Sequence, residues 1–334
     1  MSVSDLCEHI DDARDLRISL LDELRRLVPF DSFAWLLTDP TSEVGVAPIA
    51  DVPCLADLPR LIRLKYATKV NRWTEQREPV VRLHAGTGGK LEASLVWREL
   101  LTDHNVSDVA SIVFRDRFGC WAFLDLWRFD GAFTDSQACA LTDHVDAITA
   151  ALRRCTFRNF SRPTAGRGQL WPGPIVLVIS DQLEVHGQTP ETERYLRALV
   201  PPDGDRAPVP AGAFNVAAQL LAIEAGIDDH PPVARVHLND GEWLTLRAAR
   251  IGVDIAVSIE RASAAERLDL FRRSAGLTAR EGELLDLLAT GADTRAIAKQ
   301  MFVSAHTVQD HLKAIFAKTG VSSRRDLLAR AVAP

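Results

Sequence analysis

The chain has 334 residues with 47% hydrophobic and 25% charged side chains, an ordinary balance for folded protein and more chain than one core of about 250–300 residues organises. No run of about 18 apolar residues is available to cross a bilayer, and the opening MSVSDLCEHIDDARDL is polar and acidic instead of basic then apolar, so no membrane partner and a cytoplasmic location are expected. Five cysteines, Cys7, Cys54, Cys120, Cys139 and Cys155, are odd in number and never spaced C-x-x-C, which argues against a disulfide framework and a zinc site; neither metal nor cofactor is expected.

The net charge of -6 hides an asymmetry. From Arg272 to Pro334 ten Lys/Arg stand against six Asp/Glu, a local +4, while the preceding 271 residues hold 29 against 39, or -10. A basic terminal module on an acidic body is an electrostatic footprint for phosphates.

In chain order, Ile18, Leu21, Leu24 and Leu27 recur at helical spacing, and the run FAWLLTD after Pro29 reads as a strand. Two β-rich runs in DVASIVFRDRFGCWAFLDLWRFDGAFT are separated by Asp116-Arg117-Phe118-Gly119, a predicted hairpin. DSQACALTDHVDAITAALRRC returns to helical spacing. These elements predict an α+β domain over residues 1–160, and the Pro/Gly/Arg-rich SRPTAGRGQLWPGP predicts a boundary. Next come a strand and a second strand start in PIVLVISDQLEVHGQ, a helix entered at Thr189-Pro190, a Pro/Gly/Asp-rich loop at 201–212 and the helix AFNVAAQLLAIEAG. Three further strands follow, with Asn239-Asp240-Gly241 as a hairpin turn, giving a second α+β domain over 171–262. The segment 263–276 is helical in pattern and predicts a connector. No internal repeat stands out.

From Leu277 the chain is purely helical and sharply punctuated. Thr278-Ala-Arg-Glu281 spells a capping box, Asp293 and Ser304 are placed to cap the next two helices, and Gly320 stands where a left-handed C-cap belongs. Between Ser304 and Gly320, Val308, Leu312 and Ile315 form one apolar stripe, and His306, Gln309, Asp310, Lys313 and Ala317 lie opposite it. A short helix, a tight turn and a capped helix form a helix-turn-helix arrangement, which sets its second helix in the major groove. Gln309 is suited to adenine, Lys313 to guanine and Asp310 to a cytosine amino group. Thr294, Arg295, Thr307, Lys318, Ser323, Arg324 and Arg325 are candidates for phosphates. The competing reading from periodicity alone is a small bundle with a solvated polar face.

Residues 277–332 carry LTxRE, IAxxxFVSxHTVxxHLxxIxxKxGVxSR and Gly291, and along that whole length resemble the C-terminal DNA-binding domain of the LuxR family of bacterial transcription regulators. The resemblance implies a tetrahelical domain at 277–334 whose third helix enters the major groove, a fourth helix at 323–332 that helps dimerisation, double-stranded promoter DNA as partner, and RNA polymerase contact if the protein activates. By position, Gln309, Asp310 and Lys313 become the base-facing residues.

The first domain resembles a GAF domain and the second a PAS domain in their pattern of elements, which implies pockets between sheet and helices. Trp35, Tyr66, Trp73, Trp97, Trp121, Phe123 and Trp127 are the pocket candidates, suited to an apolar or aromatic ligand; each has core packing as its ordinary alternative. HAGTGGK at 84–90 departs from a phosphate loop at His84 and Leu91, and no catalytic constellation is present, so no enzyme is expected. The expectation is a homodimeric, ligand-responsive transcription regulator. Control by a partner protein, or by oxidation of Cys54, Cys120, Cys139 or Cys155, stands as the alternative.

Overall fold

The computed structural model describes residues 2–161, 174–199, 210–238 and 242–332. The first module opens with α1 (Val3–His9), entered through a Ser2/Asp5 capping box, and α2 (Ala13–Leu27), capped by Asp12. β1 (Ser32–Thr38) and β2 (Gly45–Asp51) lead to α3 (Leu58–Ala67), β3 (Val80–Arg82), α4 (Leu83–Gly86) and α5 (Leu95–Glu99). The long hairpin of β4 (Asp108–Asp116) and β5 (Gly119–Arg128) and the 25-residue α6 (Asp135–Asn159) complete it. Its five strands run antiparallel in the order β2-β1-β5-β4-β3.

Central β5 is buried along nearly its whole length, because both faces of this sheet are covered. Ala122, Leu124 and Leu126 join Trp35 and Phe114 in a core closed by α1, α2 and α6. Phe123 and Trp127 point to the other side, where Trp73 and the region of α3 and α5 cover them. Strand side chains alternate between faces, so one strand serves two cores.

The second module consists of β6 (Ile175–Ile179), β7 (Val185–Gln188), α7 (Thr192–Leu199), α8 (Ala211–Glu224), β8 (Val233–His237), β9 (Trp243–Ile251) and β10 (Asp254–Arg261). Its antiparallel order is β7-β6-β10-β9-β8. Counted within each module, both sheets run second, first, fifth, fourth, third. The structure thus holds a topological repeat that the sequence does not display. The expected turn at 239–241, most of the boundary segment (162–173) and most of the 201–212 loop lie outside the described residues.

α8 is buried on nearly every side, through Ala213, Asn215, Val216, Ala217, Ala218 and Gln219 among others. It packs on β9 of its own module and on α3 and β2 of the first. Its small side chains permit that double contact, and a helix apolar all round is one with neighbours all round. A second seam contact is Arg235 on β8, which grips Asp39 through Nε (2.6 Å) and Nη2 (2.8 Å).

α9 (Ala264–Ser274) carries the chain into α10 (Ala279–Ala289), α11 (Thr294–Gln300), α12 (Ala305–Thr319) and α13 (Arg324–Val332). It is not a free linker. Phe271 is fully buried and meets Phe157 and Phe160 of the α6 end at 5.5 and 5.3 Å between ring centroids. Trp243 stacks on Phe160, so one core runs from both modules into the terminal helices. Arg235 also donates to Asp269 of α9 at 2.9 Å, and Arg272 reaches Asp286 of α10 at 2.6 Å.

Candidate nucleic-acid interface and sensor cavity

The terminal helices are positioned by the caps that the sequence spells. Thr278 and Glu281 form the reciprocal box at the start of α10, and the side chains of Asp293 and Ser304 accept backbone N–H groups of Ala296 and Thr307. The turn between α11 and α12 passes through Phe302 at φ 56°, which leaves its ring 95% exposed. Gly320 ends α12 at φ 67°. Val308, Leu312 and Ile315 are buried in the same core as Leu284, Leu285 and Ile297. Burying that stripe turns the opposite face outward by helical geometry.

On that outward face Gln309, Asp310 and Lys313 are all exposed. Asp310 lies between two cations or potential cations of its own helix, with Lys313 Nζ at 3.4 Å and His306 Nε2 at 3.6 Å. Its charge is therefore locally compensated, which eases a carboxylate's approach to DNA. Arg295 and Arg325 are exposed, and Thr307 lies half-buried beside the Ser304 hydroxyl at 2.9 Å. Arg324 Nη2 donates to Thr294 Oγ1 at 2.7 Å, joining the starts of α13 and α11. Ser323 Oγ accepts from the Asp326 N–H at 3.1 Å.

Lys318, also exposed, has a partner within the domain. Its ammonium sits 2.6 Å from Glu281 Oε2, stapling α12 to the capping box of α10. Burial works to raise the Glu281 carboxyl, but Lys318 and the hydrogen bonds from Thr278 outweigh it and hold it below the usual carboxylate value. Helical spacing gave Lys318 a direction but not this partner, although the residue stays exposed. Lys299 and His306 are also exposed on this module.

The pocket candidates divide between the two faces of the first sheet. A cavity of about 180 Å³ lies between the first sheet, α3 and α8, and Tyr66, Trp73 and Trp127 line it together with Lys65, Asp125 and Asn215. Trp35 and Trp121 face the opposite core instead, Trp35 stacked on Phe114 at 5.5 Å. Phe123 shares the cavity's side of the sheet but lies under Trp73, stacked at 4.8 Å. Trp97 donates its indole N–H to the Val106 carbonyl at 2.8 Å and borders the neighbouring cluster. These four are corrected from pocket to packing positions.

The cavity's polar chemistry is concentrated. Asp125 accepts from Trp73 Nε1 (2.9 Å) and the Ser111 hydroxyl (2.7 Å) and pairs with Lys65 Nζ at 2.8 Å. Lys65 also stands 4.1 Å from the centroid of the Trp73 ring. The Tyr66 hydroxyl accepts the Gly45 N–H at 3.0 Å, and burial pushes the phenol pKa up. Sequence reasoning missed Lys65, Asp125 and Asn215 because their meeting depends on tertiary contacts between α3, β5 and α8.

Asp228, Asp229 and His230 bring potential metal ligands within 4.8 Å of one another, but Asp228 is committed to Arg72, Thr74 and His230. Burial pushes the thiols of Cys54, Cys120 and Cys155 up to about 11, 12 and 12 respectively, which disfavours the thiolate; Cys139 is exposed.

With this geometry in place, residues 275–331 match the family described as bacterial regulatory proteins, luxR family. The monoamine regulon transcriptional regulator of Klebsiella aerogenes is 43% identical over 58 residues, which are 17% of this chain and 26% of that protein. The putative HTH-type transcriptional regulator Mb0914c of Mycobacterium bovis is 35% identical over 92 residues, 28% of this chain and 10% of that protein. Transcriptional activator protein ExaE of Pseudomonas putida is 43% identical over 60 residues, 18% of this chain and 28% of that protein. The chain therefore spans between a tenth and little more than a quarter of the length of these relatives. A solved structure of the Vibrio cholerae VqmA dimer, a LuxR-type receptor, aligns at 19% identity and a TM-score of 0.19 over 48% of this chain and 82% of that one, a likeness too slight to bear on the fold. The C-terminal segment is a LuxR-type helix-turn-helix domain.

Proposed function

We propose that the protein is a transcription regulator that couples a small molecule, sensed by its two α+β modules, to promoter binding by α12. Gln309, Asp310 and Lys313 read base edges, and Thr294, Arg295, Thr307, Ser323, Arg324 and Arg325 hold phosphates. The modules act as GAF-like (1–160) and PAS-like (171–262) sensors for an apolar or aromatic ligand, and the connector 263–276 transmits their arrangement to the domain at 277–334. The working form is a homodimer on double-stranded DNA, with RNA polymerase as a further partner if it activates. The carrying observation is the exposed polar face of α12, set opposite a buried Val308-Leu312-Ile315 stripe within residues that match the luxR family.

The test is a binding-site selection with the full chain, followed by affinity measurements for Lys313→Ala at fixed salt. A lost guanine contact costs about 1–3 kcal/mol and relaxes preference at one base position. Unchanged sequence preference removes Lys313 from the reading. Absence of any selected sequence from the wild-type chain removes the regulator reading itself.

A further inference from the structure

We infer that the cavity between the modules is the site of a small uncharged hydrocarbon, one substituted ring in bulk, held by apolar contact alone and completing the seam between the two modules. The inference rests on the sensing role proposed above; it narrows the ligand to a molecule without polar groups and gives it a point of action.

The space exists because small side chains stand where larger ones would fill it. Ala34 of β1 and Ala50 of β2 are register partners on the cavity side of the first sheet, and Ala211 begins α8 on the other wall. Around them stand Leu36, Leu61 and Ile62. Protein interiors leave few voids larger than a water molecule, and apolar space left empty forfeits the contacts of its lining. An apolar cavity of about 150 Å³ accommodates benzene, so about 180 Å³ admits one substituted ring.

The polar groups of the wall hold one another. Lys65 and Asp125 pair at 2.8 Å, Trp73 Nε1 donates to Asp125 at 2.9 Å, and Asn215 Nδ2 donates to the Gly45 carbonyl at 2.8 Å. Two atoms of lining residues have no partner, Trp127 Nε1 and Asn215 Oδ1, but both are closed off by protein and neither faces the space. A hydroxyl or carboxylate entering here would give up its water to a wall whose polar groups are already paired. An ion would meet no unpaired counter-charge. Apolar surface carries no such cost, so the wall selects for ligands that lack polar groups.

Ala211 and Asn215 belong to α8 of the second module, and the rest of the lining to the first. A molecule in the cavity therefore touches both, and its contacts are complete only while α8 lies against α3 and β2. The modules meet closely there: a Cβ on Gly45 would come within 2.6 Å of Leu36 Cδ2 and 3.2 Å of Asn215 Nδ2. Leu55, 52% exposed, stands at the cavity's edge and marks the way in. Occupancy favours the closed seam, because the ligand binds that arrangement better than an open one.

The experiment titrates the full-length protein with toluene, phenol and benzoate, following calorimetry and thermal unfolding. Toluene and phenol exchange a methyl for a hydroxyl, so their ratio reads the polarity of the wall at nearly constant size. Toluene is expected to bind once per chain, to raise the unfolding temperature and to bind at least about tenfold more tightly than phenol, with benzoate not binding. Ala34→Leu in the first module and Ala211→Leu in the second fill the space from opposite walls, and each should abolish toluene binding while unfolding stays cooperative. Phenol or benzoate binding as tightly as toluene overturns the proposal. So does no binding of toluene to the wild type, or full toluene affinity in a cooperatively folded Ala211→Leu. The ranking of probes on the wild type decides the ligand class even where a variant fails to fold. DNA affinity measured on the same samples separates the two levels: selected DNA bound normally without any probe response sinks this inference alone, whereas probe binding without DNA binding sinks the regulator reading.

Discussion

Arg235 is the residue on which the modules' relation turns. It is 8% exposed, grips the equally buried Asp39 with two side-chain bonds, and extends the same guanidinium to Thr41, to the Glu266 carbonyl and to Asp269. Removing one partner of a buried pair leaves the other charge stranded, so Arg235→Ala should cost about 3–5 kcal/mol, whereas an apolar replacement of both partners recovers most of it. Denaturant unfolding of Arg235→Ala and of the double variant Asp39→Leu/Arg235→Met checks this; equal losses in both would mean the pair contributes only packing. None of these partners was legible in the sequence, because Asp39 and Arg235 are far apart along the chain. Chemistry carried by neighbours in sequence was legible, as at Thr278 and Glu281. Trp35 and Trp121 mark the limit between the two. Their aromatic character was plain, but which sheet face each takes follows from register, and register is a tertiary property.

Among elements, α12 is the one most fully written in the sequence. Its cap, apolar stripe and stop all depend on residues within a few turns, and Ser304, Val308, Leu312, Ile315 and Gly320 take the places that local rules give them. A Cβ at Gly320 would meet nothing within 4 Å, so the only penalty for Gly320→Ala is the left-handed backbone, about 1–2 kcal/mol. Thermal unfolding should show a loss of that size with DNA preference unchanged; altered preference would mean that the end of α12 sets its angle in the groove. By contrast, α3, α4, α5, β2 and β3 were not assigned from sequence. β3, α4 and α5 have only three, four and five residues, too few for a period to be read.

At the scale of the molecule, α9 ties modules and DNA-binding domain into one body through Asp269. Burial works to raise its carboxyl, and the guanidinium groups of Arg235 and Arg272, with Arg273 adding its charge, outweigh it and hold the pKa at about 2 against an ordinary 3.8. A folded-state value below the unfolded one means that the unfolded chain binds the proton more readily. The stabilisation is complete above about pH 4 and is lost as pH falls through about 2. Unfolding free energies measured from about pH 5 down to about pH 2 should fall less steeply in Asp269→Asn than in the wild type; parallel slopes would assign the acid sensitivity to other carboxylates.

The identical strand order of the two sheets has a further effect, on how the chain folds. Ten strands, wired twice in the same way, give every strand a counterpart in the wrong module, and long chains misassemble through such pairings. The lack of a visible sequence repeat is then protective. β5 carries large side chains on both faces, Phe123, Leu124, Leu126 and Trp127, while its counterpart β10 buries alternate positions only. Exchanged, each would bring the wrong volumes and polarity to its neighbours. Divergence between the modules thus works as an address, directing each strand to its own sheet while the wiring stays the same.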